Sequence, residues 1–310
     1  MNPTIAVKDL TKNYGEITAV NHINFEVKKG EIFGFLGPNG AGKTTTIRIL
    51  TGVIKPDGGT ATIMGYDILK EPLEAKQIMS VVPEMANAYV ELSAWQNLML
   101  IGELYGVPKN RRHERTEHLL KEFGLYERRN QLARGFSKGM KQKLILCMAL
   151  LTEPKVLFLD EPTAGLDVES ARLIRDTIRQ HNKDGTTIFL STHNMEEANQ
   201  LCDRIAIINH GKIAAIDNPE NLRMKSSGLK SVEVSFNKPV ATNELSKISN
   251  VTEAKKIGDK IRLYTEEPHS VINSLIDYAR SKGLTIISLN TRAPTLEDVF
   301  IKLIREHKGD

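Results

Sequence analysis

The chain has 310 residues, of which 40% are hydrophobic and 26% are charged, a composition that indicates a folded globular protein and excludes disordered, collagen-like and fibrous chains. Its formal net charge of +4 is too small to indicate nucleic-acid binding by itself. No apolar run approaches the roughly 18 residues that a membrane-spanning helix needs, and Lys8 and Asp9 interrupt the stretch where a secretory signal would be apolar. We therefore expect a cytoplasmic protein that does not itself cross a membrane.

The first two thirds of the chain alternate short apolar runs with longer helical patterns. This rhythm is typical of an α/β fold with a mostly parallel sheet covered on both faces. The run Val156–Leu159 lacks polar alternation, as expected for a strand buried on both sides. The predicted strands are residues 5–7, 23–27, 32–36, 81–82, 156–159, 187–190 and 205–208.

A helical insertion is predicted between about residues 85 and 153, where the strand signals stop. Its helical patterns span residues 93–105, 110–123 and 137–151. The segment from Val107 to Lys143 contains 11 Lys and Arg but only 4 Asp and Glu, so the positive charge of the chain is concentrated here. A solvated helix face and a surface that meets a partner explain this charge equally well.

A second, smaller domain is predicted for residues 222–310, after a cassette of residues 1–221. A polar, glycine-containing link at residues 225–228 separates them, and Gly258-Asp259 predicts a hairpin turn. The element order β-α-β-β-α-β predicts an α+β unit with a ferredoxin-like arrangement. Its predicted strands are residues 231–236, 252–257, 260–264 and 284–289, and its predicted helices are residues 243–249, 269–282 and 295–306.

A glycine-rich segment between a predicted strand and a predicted helix matches the phosphate-binding pattern GxxxxGK[ST]. Its glycines allow the backbone to curl so that successive N–H groups point at phosphate oxygens, and the helix N-terminus adds partial positive charge. The lysine would contact the β- and γ-phosphates of a nucleotide, and the final threonine would ligate Mg²⁺. The segment comprises Gly37, Pro38, Asn39, Gly40, Ala41, Gly42, Lys43 and Thr44.

Two consecutive carboxylates follow the buried strand at residues 156–159. In isolation, two such carboxylates would usually lie in a solvent-exposed loop. A phosphate-binding loop in the same chain favours a functional role for them instead. Asp160 can then hold the Mg²⁺ shell, and Glu161 can orient or deprotonate an attacking water. Together the two motifs predict a P-loop NTPase, a class that includes kinases, GTPases and motors.

A third motif precedes the predicted helix at residues 137–151 and selects among these classes: Phe136-Ser137-Lys138-Gly139-Met140-Lys141-Gln142. By itself Ser137 would be a good helix N-cap. With the other motifs, the segment resembles the signature of ABC transporter ATP-binding subunits, usually Leu-Ser-Gly-Gly-Gln, in which Ser137 and Gly139 match. The resemblance implies that these two residues bind the γ-phosphate of ATP held by a second subunit, in a head-to-tail homodimer.

Further positions agree with this family. The resemblance implies that Tyr14 stacks on adenine, that Thr45 belongs to the nucleotide-binding segment, and that Asp167 lies in the loop through which two subunits sense each other. It also implies that His193 is a switch histidine at the γ-phosphate. In isolation, a tyrosine is more often a packing residue, and a histidine at a strand end is ordinarily a polar cap.

Glu84 departs from the family pattern, which has a glutamine after the strand that precedes the helical insertion. A carboxylate ligates Mg²⁺ at least as well as an amide. It also adds negative charge near the triphosphate and donates no hydrogen bond unless protonated. We therefore assign Glu84 to the predicted Mg²⁺ shell.

The resemblance covers residues 3–220, and the segment at residues 293–300 also resembles the C-terminal extension of drug- and antibiotic-exporter subunits. It implies an ATPase that powers a separately encoded integral membrane permease, with ATP and Mg²⁺ as cofactors and a location on the cytoplasmic face of the cell membrane. Nucleic acid is not an expected partner. The alternatives are a soluble ABC ATPase that acts on ribosomes or nucleic acid, supported by the basic insertion alone, and a regulatory tail that binds a small ligand.

Overall fold

The computed structural model describes residues 2–85, 88–225, 230–292 and 295–300. The chain forms two compact units, Met1–Asp217 and Asn218–Asp310. The sequence places the boundary after residue 221, within the helix Pro219–Lys225 that the structure assigns to the second unit. Of the predicted link at residues 225–228, Lys225 ends this helix and residues 226–228 lie outside the described residues.

The first unit contains two sheets. Its strands are β1 (Ile5–Tyr14), β2 (Ile17–Val27), β3 (Ile32–Leu36), β4 (Gly58–Ile63), β5 (Tyr66–Asp67), β6 (Met79–Val82), β7 (Val156–Asp160), β8 (Thr187–Thr192), β9 (Arg204–Asn209) and β10 (Lys212–Asp217). Its helices are α1 (Lys43–Leu50), α2 (Pro72–Gln77), α3 (Ala94–Leu104), α4 (Lys109–Glu122), α5 (Lys138–Leu150), α6 (Val168–Lys183) and α7 (Met195–Leu201), with short 3₁₀ turns at Tyr126–Arg128 and Ala133–Gly135.

The central sheet has the order β10-β9-β3-β8-β7-β6. Every neighbouring pair is parallel except β10 with β9, which is antiparallel. Strands β3, β7 and β8 are buried along their whole length, as their unbroken apolar runs predict. Because parallel strands end at a common edge, the segments that follow β3, β6, β7 and β8 are brought together there.

Aromatic packing joins the central sheet to the antiparallel sheet, whose order is β2-β1-β4-β5. Phe25 of β2 stacks on Phe33 with ring centroids 5.5 Å apart, and Phe189 lies 5.3 Å from Phe35 and 5.6 Å from Phe158. Sequence reasoning predicted only the first residues of β1 and did not identify β4, β5 or β10. Strand β4 begins with two glycines and a threonine, and β5 has only two residues, so their apolar signals are weak. The apolar residues of β10 are only half-buried, and two of them are small alanines.

The predicted helical insertion forms α3, α4 and α5, which pack on one another. Ser93 begins α3 with a reciprocal cap: its Oγ accepts from Gln96 N at 3.2 Å, while Gln96 Oε1 accepts from Ser93 N at 2.8 Å. Arg115 of α4 donates to the carbonyls of Leu150 and Leu151 at the end of α5, at 2.7 and 2.9 Å. Within the described part of the chain, no helix has the length and hydropathy to span a membrane.

The second unit contains α8 (Pro219–Lys225), β11 (Lys230–Phe236), α9 (Thr242–Leu245), β12 (Glu253–Ile257), β13 (Lys260–Thr265), α10 (Pro268–Lys282) and β14 (Ile286–Arg292). Its sheet has the order β12-β13-β11-β14 with antiparallel neighbours throughout. From β11 onward this is the predicted split β-α-β-β-α-β arrangement. Val232, Leu263 and Leu275 belong to its buried core. Residues 296–300 are helical, and the rest of the helix predicted at 295–306 is outside the described residues.

Candidate nucleotide site

The phosphate loop lies between β3 and α1, and its glycines are required by the surrounding backbone. A Cβ on Gly37 would lie 2.4 Å from the carbonyl oxygen of Ile208. Gly42 has a φ of +107°, and a Cβ there would lie 2.3 Å from the carbonyl oxygen of Ala19. Only a residue without a side chain fits either position. Within the loop, Ala41 N donates to Pro38 O at 3.2 Å.

A β-bulge in β2 anchors this loop. Lys12 pairs with Val20 and Asn13 with Thr18, which leaves Ala19 as the extra residue. Ala19 meets the loop at Gly42, and the turn after β9 completes the anchor because Gly211 N donates to Ala41 O at 3.0 Å. Two separate segments, the bulge in β2 and the end of β9 with its turn, therefore fix the backbone of the phosphate loop.

Lys43, the first residue of α1, points into the loop and is 5% exposed. Its Nζ donates to Gly37 O at 2.7 Å and to Pro38 O at 3.1 Å. The same ammonium lies 3.3 Å from Oε1 of Glu161, which is 7% exposed. This contact is an ion pair without hydrogen-bond alignment, because Oε1 accepts no hydrogen bond from the described residues. Lys43 thus places an ammonium group at the start of α1, where an anion binds best.

An oxygen-rich cluster joins α1 to the ends of β7 and β8. Thr44 Oγ1 donates to Asp160 Oδ1 at 3.3 Å, and Ser191 Oγ donates to the same oxygen at 2.5 Å. Asp160 and Ser191 are buried, and Thr44 is half-buried. Hydroxyl and carboxylate oxygens are the donors that Mg²⁺ prefers, so the chemistry of these residues fits that ion.

Glu161 and His193 form the next contact along the same edge. Glu161 adopts a left-handed conformation with a φ of +51°, and its N–H donates to Ser191 O at 3.1 Å. Glu161 Oε2 lies 2.8 Å from His193 Nδ1 and accepts from His193 N at 3.3 Å. A carboxylate held between a histidine and a lysine is placed to orient a water or accept its proton.

Glu84 lies at the same edge but makes no contact with the oxygen cluster in the described part of the chain. Strand β6, which precedes it, pairs with β7 so that Val82 is level with Leu159, and Glu84 therefore follows close to the level of Asp160. Its side chain is exposed. The structure thus places Glu84 beside the cluster and outside its hydrogen bonds.

Tyr14 and Thr45 lie at the margins of the site. Tyr14 ends β1, is 48% exposed, and has the ammonium of Lys12 5.7 Å from its ring centroid. Lys12 in turn pairs with Asp57 at 2.9 Å. Thr45 is half-buried in α1. Tyr14 therefore offers an exposed aromatic face at the end of a strand.

Ser137, Gly139 and Asp167 form a second cluster. Ser137 caps α5 by accepting from Met140 N at 3.2 Å, and Asp167 caps α6 by accepting from Ser170 N at 2.8 Å. This hydrogen bond to the Ser170 backbone is the main cause that lowers the pKa of Asp167. Gly139 packs so closely on α6 that an added Cβ would lie 2.8 Å from Ser170 Oγ. Among the described contacts, none joins this cluster to residues 37–44 of the same chain.

Two buried polar residues of this edge were missed by sequence reasoning. Ser191 bonds Asp160, and Glu197 of α7 accepts a hydrogen bond from Thr163 at 2.6 Å. Ser191 lies in the Ser-Thr-His segment that identified His193, so its place after β8 could have indicated it. Glu197 lies one helical turn before the buried Leu201, so the helical period places it on the buried face of α7, but no local pattern indicates its contact with Thr163.

The fold, together with the grouping of Lys43, Thr44, Asp160, Glu161 and His193 at one edge of the central sheet, defines a P-loop ATPase. Residues 20–164 match the family described as "ABC transporter", and residues 218–304 match "ATP-binding protein DrrA1-3-like, C-terminal domain". The linearmycin resistance ATP-binding protein LnrL of Bacillus subtilis is 36% identical over 304 residues, which cover 96% of this chain and 97% of the relative. The Nod factor export ATP-binding protein I of Ralstonia nicotianae is 34% identical, over 99% and 96% of the two chains.

Solved structures agree with these relatives. An ATP-binding subunit of an ABC transporter aligns with a TM-score of 0.68 and 32% identity, over 72% of this chain and 93% of the other. A dimeric ATP-binding cassette in a post-hydrolysis state, bound to ADP and phosphate, aligns with a TM-score of 0.63 and 25% identity, over 69% and 98%. The chain therefore belongs to the ATP-binding subunits of ABC transporters, a family of ATPases whose activity is coupled to transport.

Proposed function

We propose that this chain binds Mg²⁺–ATP as a head-to-tail homodimer and hydrolyses it to drive a separately encoded membrane permease, as the ATPase of an exporter. The observation that carries this proposal is the convergence of Lys43, Asp160 and Glu161 at one edge of the central sheet. These groups provide a cation for phosphate, oxygen ligands for a metal ion and a carboxylate for water.

Each residue of this edge has a distinct proposed role. The N–H groups of the phosphate loop and Lys43 bind the β- and γ-phosphates, while Thr44 and Asp160 hold Mg²⁺, with Glu84 in its outer shell. The bound ion would neutralise charge on the phosphates. Glu161 orients and deprotonates water, and His193 contacts the γ-phosphate while it holds Glu161 in place. Tyr14 stacks on adenine.

The homodimer is supported by the position of the second cluster. Ser137 is exposed at the N-terminus of α5, Gly139 supplies a backbone N–H beside it, and Asp167 begins the neighbouring helix. A second copy, turned head to tail, would bring these groups to the nucleotide that the first copy holds. The dimeric cassette among the similar structures supports a dimer of such chains.

An apolar groove in the first unit supports a permease partner. It has a volume of about 150 Å³ and lies between β6, α3 and α5, with Pro83, Ile101, Tyr105 and Met148 among its lining residues. Leu104 and Tyr105 beside it are 65% and 55% exposed. An exposed apolar groove is typical of a protein contact, and docking there would place the chain on the cytoplasmic face of the membrane. Resistance and export in the relatives' names favour an exporter.

The charge of the helical insertion gives little support to nucleic-acid binding. Several of its basic residues already contact carboxylates: Arg112 lies 2.8 Å from Glu103, Lys121 lies 2.7 Å from Glu117, and Arg111 lies 3.1 Å from Glu153. These surface pairs lower the local positive potential that phosphate backbones need. We therefore favour the transporter over a soluble ATPase acting on ribosomes or nucleic acid.

Replacement of the proposed base tests this function. We expect Glu161→Gln to bind ATP, to lose turnover by about 10²–10⁴-fold and to accumulate as a dimer, because the amide cannot accept a proton from water. Hydrolysis is measured by phosphate release and dimerisation by light scattering with Mg²⁺–ATP. Glu74→Gln, an exposed residue of α2, is the matched control. Normal turnover by Glu161→Gln would contradict the assignment.

The partner is tested in cells that express the chain with the product of a neighbouring gene for a hydrophobic multi-helix protein. We expect the tagged chain to sediment with membranes, and Tyr105→Glu to release it while ATP hydrolysis by the purified protein continues. Tyr66→Glu, at an exposed tyrosine of β5, is the control. Co-sedimentation with ribosomes, unaffected by Tyr105→Glu, would support the rival function.

A further inference from the structure

Glu197 is a buried carboxylate behind the proposed catalytic pair. It is the third residue of α7 and is 2% exposed, whereas the adjacent Glu196 is exposed. Removing a carboxylate from water is costly unless hydrogen bonds satisfy it. The contacts of Glu197 therefore indicate what its burial accomplishes.

Those contacts connect two different loops. Thr163 Oγ1 donates to Glu197 Oε1 at 2.6 Å. The backbone N–H of Glu197 donates to Asn194 Oδ1 at 3.1 Å, and Asn194 N donates to Thr192 Oγ1 at 3.0 Å. Glu197 thus joins the segment after β7 to the segment after β8.

Both threonines stand next to the groups proposed to act on ATP. Thr163 follows Glu161 by two residues, within a turn in which Ala164 N donates to Glu161 O at 3.1 Å. Thr192 immediately precedes His193. The direct contact between Glu161 and His193, at 2.8 Å, therefore has a second connection behind it, from Thr163 through Glu197 and Asn194 to Thr192.

We propose that Glu197 is a positioning residue that holds Glu161 and His193 at their working separation by joining Thr163 to Thr192. This inference rests on the ATPase function proposed above. Glu197 itself touches neither nucleotide nor water in this scheme. It acts through the two loops, because hydrogen bonds at fixed positions limit how far Glu161 can turn from its left-handed conformation.

The charge around Glu197 is consistent with this role. Burial raises the pKa of Glu197, and the negative charge of Glu161 raises it further. The hydrogen bond from Thr163, the hydroxyl of Thr192 and the charge of Arg175 act in the opposite direction and lower this pKa. The two threonines thus partly offset an unfavourable environment, which is expected where a buried polar group serves a specific geometry.

The test compares ATP hydrolysis by Glu197→Ala, Glu197→Gln and Glu196→Ala in the full chain. We expect Glu197→Ala to lower kcat about ten- to a hundredfold, with KM and the affinity for a non-hydrolysable ATP analogue unchanged. Glu197→Gln should restore most of the rate, because its carboxamide oxygen still accepts from Thr163. Glu196→Ala removes a neighbouring exposed carboxylate and should match the wild type.

Thr163→Val provides a second route, because it removes one donor and keeps Glu197 in place. We expect it to lower kcat without changing KM, and it remains informative if Glu197→Ala does not fold. Wild-type kcat in Glu197→Ala, or equal losses of kcat and nucleotide affinity in both variants, would overturn the proposal. These outcomes are separate from failure of the ATPase function itself, which would appear as normal turnover by Glu161→Gln.

Discussion

Lys43 and Glu161 come from different loops, yet the ammonium of one lies 3.3 Å from a carboxylate oxygen of the other with both side chains almost fully buried. The lysine belongs to the segment after β3 and the glutamate to the segment after β7. Neither charge would be tolerated there alone, because burial of an unpaired ion is costly. The pair therefore fixes the proposed phosphate-binding group and the proposed base relative to each other.

Substitution of Lys43 tests the phosphate-binding role. We expect Lys43→Met to weaken ATP binding by about ten- to a hundredfold, since it removes charge-assisted hydrogen bonds to phosphate oxygens. Binding is measured by titration with a fluorescent ATP analogue. Lys109→Met, at an exposed lysine that begins α4, should leave the affinity unchanged. Equal affinity in the two variants would exclude Lys43 from the nucleotide contacts.

A substitution at Gly139 tests the cluster of Ser137, Gly139 and Asp167 separately from the phosphate loop. We expect Gly139→Ala to keep ATP binding by the single chain but to lower hydrolysis about tenfold or more, because its Cβ would lie 2.8 Å from Ser170 Oγ and would move the start of α5. Gly135→Ala is the control, since its Cβ would meet only the end of the Gln131 side chain. The two variants are compared by ATP affinity and by phosphate release. Similar hydrolysis by both would contradict a role for this surface.

Glu84 is proposed to belong to the Mg²⁺ shell, and its side chain is exposed to solvent. We expect Glu84→Gln to raise the Mg²⁺ concentration for half-maximal hydrolysis several-fold, because an amide oxygen carries less negative charge than a carboxylate. Glu91→Gln, an exposed residue in the loop before α3, should leave it unchanged. The measurement is hydrolysis rate against Mg²⁺ at fixed ATP. An unchanged Mg²⁺ dependence and rate in Glu84→Gln would show that the role is wrong.

Glu233 makes the stability of the second unit pH-dependent. Burial raises the pKa of its carboxyl, but hydrogen bonds and charges from Arg262 and Arg292, at 2.8 and 2.7 Å, outweigh burial, so the pKa lies below the ordinary value of 4.5. The ionised carboxylate therefore stabilises the fold above about pH 4.5, and this stabilisation is lost as the pH falls through the lower, folded-state pKa.

We therefore expect amides of β11 and β13 to exchange hydrogen faster as the pH falls below 4.5, after correction for the intrinsic pH dependence of exchange. Glu233→Gln should exchange faster already at neutral pH and should lose this additional acid sensitivity. Glu266→Gln, which is exposed after β13, should behave as the wild type. Parallel pH profiles for Glu233→Gln and the wild type would contradict the prediction.

The parts of the fold that the sequence predicted are those with strong local signals. Strand β3 and residues 156–159 of β7 lack charged and polar side chains because both faces of these strands are buried. The spacing of Gly37, Gly42 and Lys43 reflects a backbone that admits no other residues at the two glycines. The β-α-β-β-α-β order of the second unit followed from equally local patterns and turn residues.

The parts that were missed depend on distant contacts. Strand β4 alternates weakly and is held by pairing with β1, and Glu197 differs from Glu196 only in what packs around it. The two glutamates at the start of α7 are explained locally, because negative charge is favourable at a helix N-terminus. The sequence does not indicate that one of them contacts Thr163, which lies 34 residues earlier.

The β-bulge at Ala19 limits which substitutions and insertions this part of the chain can accept. Its carbonyl oxygen would lie 2.3 Å from a Cβ at Gly42 and 3.0 Å from one at Gly211, so a single peptide group limits side chains in two other segments. The turn at Gly15 and Glu16 can vary in length only if this peptide keeps its place. An insertion beyond the bulge would be absorbed at the surface, whereas one residue added at Ala19 would displace the phosphate loop itself.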